Sequence, residues 1–193
     1  MKLVRGRRGP LVGAVGAVVA AALAVGLYLF QPWKLWQDET VSEALPTAAP
    51  TAPTAPTAPT AAPPGSASAA PAPPASPQTL TEGSFISHEH DTKGTAKVVR
   101  LTDGSHLLRL EGLDTSNGPD LRVWLTDAPV KEGVAGWRVF DDGKYVSLGK
   151  LKANKGEQNY EIPPEVNLAD YSSVTIWCDR FDVSFGAAEL AAM

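Results

Sequence analysis

The chain of 193 residues has one cysteine, Cys178, and only three histidines, His88, His90 and His106. A lone cysteine excludes a disulfide within the chain and the C-x-x-C-H attachment of covalent haem. No histidine follows Cys178 and Met193 is the last residue, so the ligands of a blue-copper centre do not gather around the thiol. Hydrolytic signatures are missing too: there is no G-x-S-x-G, no H-E-x-x-H and no phosphate-cradling glycine loop. No acid, base and nucleophile constellation can be named, so no independent enzymatic activity is expected. Cysteine is also lacking near the start, which rules out lipid attachment there. Positive charge is scarce after residue 80, where 12 Lys plus Arg face 18 Asp plus Glu, a net charge of 12 − 18 = −6. That balance disfavours nucleic acid and anionic lipid as partners.

Charge is absent altogether from Leu11 to Phe30, "LVGAVGAVVAAALAVGLYLF". Twenty helical residues span roughly 30 Å, the thickness of a bilayer's hydrocarbon layer. Lys2, Arg5, Arg7 and Arg8 precede the run, and Tyr28, Phe30, Trp33 and Trp36 cluster at its far end. Cations on the inner side and aromatic rings at the interface predict a single-pass span with residues 1–10 as a cytoplasmic basic tail. A cleaved signal peptide has a shorter apolar core ending in small residues. The run into bulky "YLFQPW" favours an uncleaved signal anchor at 11–30.

From Pro46 to Pro77, eleven of thirty-two residues are proline, with "TAPTAPTAPTAAPP" at the centre. Proline fixes φ and lacks an amide donor, so polyproline II is expected there. Residues 31–79 read as a juxtamembrane, Pro/Ala/Thr-rich disordered linker with a reach of up to roughly 100 Å. On this reading it carries a domain well clear of the membrane.

From Leu80 to Met193 the texture changes to short alternating apolar runs separated by turn residues. Strands are expected at 84–88, 95–101, 106–113, 120–127, 145–151, 158–163, 173–178 and 181–190, with a short helical turn near Pro164–Tyr171. Asp103-Gly104, Asn117-Gly118-Pro119, Asp141-Asp142-Gly143 and Asn154-Lys155-Gly156 supply the turns. Eight strands in about 110 residues predict an all-β, single β-sandwich domain.

Within "SVTIWC", alternation puts Val174, Ile176 and Cys178 on one face and Thr175 and Trp177 on the other. Phe181, Val183 and Phe185 follow in the opposite parity, so a turn or bulge must reset the register near Asp179-Arg180. Cys178 is then the last inward residue before a break in pairing. Two readings stay open. It is a small apolar core residue, the default for a free cysteine, or it is a redox thiol with Arg180 close enough in sequence to stabilise its thiolate. In a strand His88 and His90 would share a face and could hold one metal ion, yet "SHEHDTKG" runs into a turn where solvated histidines are the plainer reading. "DTSNGPD", 114–120, gathers oxygens suited to calcium but fits an Asx-type turn better.

"TSNGPDLRVWL", "LGKLKANKGEQNYEIP" and "YSSVTIWCDRFDVSFGAAEL", with the opening "GSFISHEHDTKGTAKVVRL", closely resemble the electron-transfer DM13 domain family across Gly83 to Leu190. The resemblance implies a β-sandwich-like extracytoplasmic module whose signature cysteine falls on Cys178, with the family's histidine and glycine positions on His90 and Gly94. It further implies electron transfer through that cysteine, as a bare thiol or by holding a prosthetic group such as haem. Cys178 assisted by Trp177 and Arg180 is accordingly the expected redox centre, with His90 a candidate cofactor contact and a cell-surface or cell-wall protein its expected redox partner. A non-redox binding module presenting the 87–94 and 114–120 loops to a wall polymer or protein, with Cys178 merely packed, is the alternative.

Overall fold

The computed structural model describes residues 9–46 and 76–193. One helix, α1 (Gly9–Phe30), precedes ten strands: β1 (Thr40–Ser42), β2 (Gln78–Ser87), β3 (Lys93–Arg100), β4 (His106–Asp114), β5 (Leu121–Thr126), β6 (Tyr145–Lys150), β7 (Lys155–Ile162), β8 (Ser173–Cys178), β9 (Val183–Glu189) and β10 (Ala191–Ala192). The expected turn near Pro164–Tyr171 is a 3-10 turn at Leu168–Asp170.

The α1 side chains Val15, Val18, Leu23, Leu27 and Phe30 are exposed and apolar. The helix is long and apolar enough to cross a membrane. The basic residues 2–8 and the proline-rich run 47–75, with its expected extended conformation, lie outside the described residues.

The strands follow the order β1-β7-β4-β3-β2-β9-β8-β5-β6, with β10 beside β2. β2 turns the corner. Its first part, Gln78–Ser84, pairs with β3, whereas Phe85–Ser87 pairs with β9, so one long strand serves both halves of a curled, sandwich-like sheet. Gly83 stands where the course changes, and a Cβ there would overlap the Glu189 carbonyl. The inner faces meet in one core: Ala96, Val98, Leu108, Leu110 and Tyr160 from one half pack against Leu121, Val123, Val174, Ile176, Val183 and Phe185 from the other.

The expected all-β sandwich is therefore what the chain forms, but its boundary differs from the linker reading. Residues 38–44 belong to the domain. β1 runs parallel to β7, with Thr40, Val41 and Ser42 opposite Lys155, Gly156 and Glu157. Buried Asn154 donates to Asp38 Oδ1 at 2.9 Å and accepts from the Glu39 amide at 2.7 Å. Glu43 receives Lys152 Nζ at 2.7 Å and the Asn159 amide at 2.7 Å, and the Lys152 ammonium holds its carboxyl below the ordinary range. Gly156 has φ +100°, and a Cβ on it would overlap the Val41 carbonyl, so only glycine lets β1 lie this close.

Candidate functional site

β8 is central in its half of the sheet, between β5 and β9, and all six residues are buried. Its two faces nevertheless meet different surroundings. Val174, Ile176 and Cys178 enter the main core, as the alternation predicts. Trp177 enters a second cluster with Trp124, Ala128, Phe140 and Ala187, roofed by the segment between β5 and β6 through Val130 and Val139. The register is reset twice, by an irregularity at Ile176/Trp177 and by the turn at Asp179–Asp182, where Asp182 has φ +49°.

Cys178 pairs with Leu121 on one side and Val183 on the other, and its relative exposure is 0%. The sulfur is enclosed by the core on one side and by the turn on the other. Burial pushes the thiol up from its ordinary value, and backbone hydrogen bonding from Arg180, Phe181 and Asp120 opposes the shift more weakly. The Phe181 amide donates to the Cys178 carbonyl at 3.2 Å and closes the turn.

The Arg180 guanidinium is engaged elsewhere. That group donates to the Leu29 carbonyl at 2.8 Å, at the end of α1, while Phe181 stacks on Phe30 with ring centroids 5.8 Å apart. The turn over Cys178 is therefore seated against the C-terminal end of α1. Arg138 Nη1 donates to the carbonyls of Phe181 and Asp182 at 3.2 and 3.3 Å and braces the turn from the opposite side.

The two histidines separate. β2 ends at Ser87 and residues 88–90 form a bend, so the period-two relation assumed for His88 and His90 does not operate. His88 goes to the Trp177 side, stacked on Phe140 at 5.7 Å, whereas His90 lies on Phe185 at 3.9 Å on the Cys178 side. They cannot share an ion. His88 is also fully engaged. The Lys131 carbonyl, 3.0 Å from Nε2, can only accept, so Nε2 carries the proton and Nδ1 accepts from Ser184 Oγ at 2.7 Å. Ser184 Oγ lies 2.8 Å from Thr175 Oγ1, which extends the network across β8. Burial lowers the pKa of both His88 and His90. His106 opens β4 opposite Arg100 and Ile162 and belongs to neither cluster. Among the described residues no three His, Cys, Asp or Glu side chains gather to hold a metal.

Haem fits no better. The cleft bordering Leu121, the cross-strand partner of Cys178, is lined by Lys34, Glu39, Asn117, Asp120 and Lys150 among others and encloses about 90 Å³. Small-molecule sites run to about 300–1,000 Å³. Among the described residues, the thiol is enclosed and His88 is occupied, so neither presents a free axial ligand to this cleft. The 114–120 segment is a turn, with Asn117 Oδ1 accepting from the Gly118 amide at 2.8 Å.

The feature that sequence reasoning missed is the aromatic stack on the far side of β8. Trp124 stacks on Tyr145 at 4.1 Å and on Trp177 at 5.0 Å, and Trp177 meets the edge of Phe140 at 6.4 Å. Its signal was present in the apolar Val130, Val139 and Phe140 of a segment otherwise read as loop. No curated protein and no solved structure matches the chain. A family model described as "Electron transfer DM13" matches residues 84–190, more than half of the length, taking in β8, the turn after it and both histidines. With a curled β-sandwich carrying one cysteine at the rim of its core, the chain belongs to the DM13 electron-transfer family.

Proposed function

We propose that this protein is a membrane-anchored, extracytoplasmic electron-transfer module whose redox group is Cys178. The observation that supports the reading is the family match over residues 84–190, which takes in Cys178 and the turn after it. Burial keeps the thiol protonated, so Cys178 gives one electron to a one-electron acceptor on the partner and its S–H proton to water, leaving a thiyl radical that a later electron and proton restore. An enclosed sulfur suits electron exchange, which needs proximity, better than a mixed disulfide, which needs contact and would require the 179–182 turn to open.

Anchoring through α1, with the basic N-terminus cytoplasmic, places the domain outside. The contacts of Arg180 with Leu29 and of Phe181 with Phe30 hold the Cys178 turn next to the membrane surface, so the partner is a membrane or cell-surface redox protein. No haem is invoked, since the closed site offers it neither ligand nor room.

The second reading, a non-redox surface-binding module, is favoured by the complete burial of Cys178 and the upward shift of its thiol. Voltammetry of the full chain in lipid nanodiscs separates the two. The redox reading expects a wave that vanishes in Cys178→Ser with the circular dichroism unchanged. No wave, or a wave that survives Cys178→Ser, overturns it and leaves the binding module.

A further inference from the structure

The aromatic rings on the other side of β8 form an ordered line. Tyr145 and Trp124 are nearly parallel, 10° apart with centroids 4.1 Å apart, and Trp124 and Trp177 are 24° apart at 5.0 Å. Offset stacking at such separations brings the π-systems of neighbouring rings into contact. The line runs from surface to interior: Tyr145 is 45% exposed, Trp124 4% and Trp177 1%. Phe140, fully buried and edge-on to Trp177, closes the inner end with a ring that does not give up electrons readily. Tryptophan and tyrosine are the side chains most readily oxidised by one electron, and here they touch in sequence. The geometry comes from the sheet, since β5 pairs with both β6 and β8 and brings Tyr145 and Trp177 onto the same side as Trp124.

We infer that Tyr145, Trp124 and Trp177 form a relay that carries single electrons between the domain surface and the strand bearing Cys178, with Tyr145 as its outer terminus. The inference deepens the electron-transfer reading and rests on its premise that the domain moves electrons, but not on the chemistry of Cys178. A metal-centred one-electron acceptor takes an electron from Trp177. Trp124 refills Trp177, and Tyr145 refills Trp124. The Tyr145 phenol then releases its O–H proton to water. The acceptor is reduced by one electron, Tyr145 is left as a neutral phenoxyl radical, and a one-electron donor at the surface restores it together with a proton. Trp124 Nε1 has no hydrogen-bond partner among the described residues, so the indole radical cation has no base to which it can lose its proton and the vacancy passes on to Tyr145.

The full chain in detergent, with Trp33, Trp36 and Trp137 replaced by Phe so that only Trp124 and Trp177 remain, is excited by an ultraviolet pulse that ejects an electron from tryptophan. A cobalt(III) ammine complex in solution takes up that electron irreversibly. The relay expects the tryptophan-radical absorption to decay as the phenoxyl absorption rises, with the coupled rise lost in Tyr145→Phe and lost or markedly slowed in Trp124→Phe. Tyr145 is half-exposed, so its loss of a hydroxyl leaves the fold intact. A phenoxyl rise that survives in Tyr145→Phe, or no rise in the parent chain, overturns the relay. Cys178→Ser is run in parallel: an unchanged rise there with no voltammetric wave from Cys178 leaves the relay standing and removes the thiol reading alone.

Discussion

The two sides of β8 are equally dry and chemically unlike. On one, Val174, Ile176 and Cys178 meet the aliphatic side chains of the facing half-sheet. On the other, Thr175 and Trp177 belong to a cluster with hydroxyls, an imidazole and the rings of Trp124, Phe140 and Tyr145, beneath a segment with little regular structure of its own. Burial by itself therefore does not say where a domain keeps its reactive groups. The apolar side holds the sandwich together, whereas the roofed side gathers side chains that hydrogen-bond, titrate and stack.

The comparison breaks most visibly at Trp177. Trp177→Ala leaves a large void beneath the roof and costs about 3–5 kcal/mol of stability by chemical denaturation. A cost no larger than that of an exposed substitution would mean that the second cluster is not a core. Next in size is His88, which bonds the roof at Lys131 to β9 at Ser184. His88→Ala strands buried partners and costs about 1–3 kcal/mol. Burial depresses the His88 pKa in the folded state, so the unfolded chain binds the proton more readily. The stability it contributes is complete above the ordinary histidine value of about 6.5 and is lost as pH falls through and below it. Denaturation at a series of pH values reads this slope, and His88→Gln reduces it to the part contributed by His90, whose pKa is shifted the same way. The smallest effect belongs to the apolar side. Cys178→Ala removes one small atom and costs about 1 kcal/mol, and in the parent protein the thiol resists alkylation at neutral pH until the domain is denatured.

What was legible in the sequence was what short range decides. The eight expected strands all form, because alternating residues and the Asp-Gly, Asn-Gly-Pro and Asn-Lys-Gly turns act locally. The inward direction of Cys178 followed from the same alternation. Its enclosure did not, because the cover comes from Leu121 and from the packing of the turn, which spacing does not reveal. The shared face of His88 and His90 failed because two residues of bend undo a period of two. β1 was illegible for a different reason. Three residues between an apolar helix and a proline-rich run carry almost no pattern, and their partner strand lies more than a hundred positions further along. The pointers were indirect: Gly156 at a positive φ, and carboxylates at Asp38 and Glu43 matched to Lys155 and Lys152.

The docking of residues 38–44 on β7 takes the chain that follows them out of the path between helix and sandwich. Residues 31–37, which join Phe30 to the first docked residue, fix the height of the sheets above the helix instead. Lengthening that seven-residue joint would unseat the 179–182 turn from Leu29 and Phe30 while leaving the pairing of β1 with β7 intact.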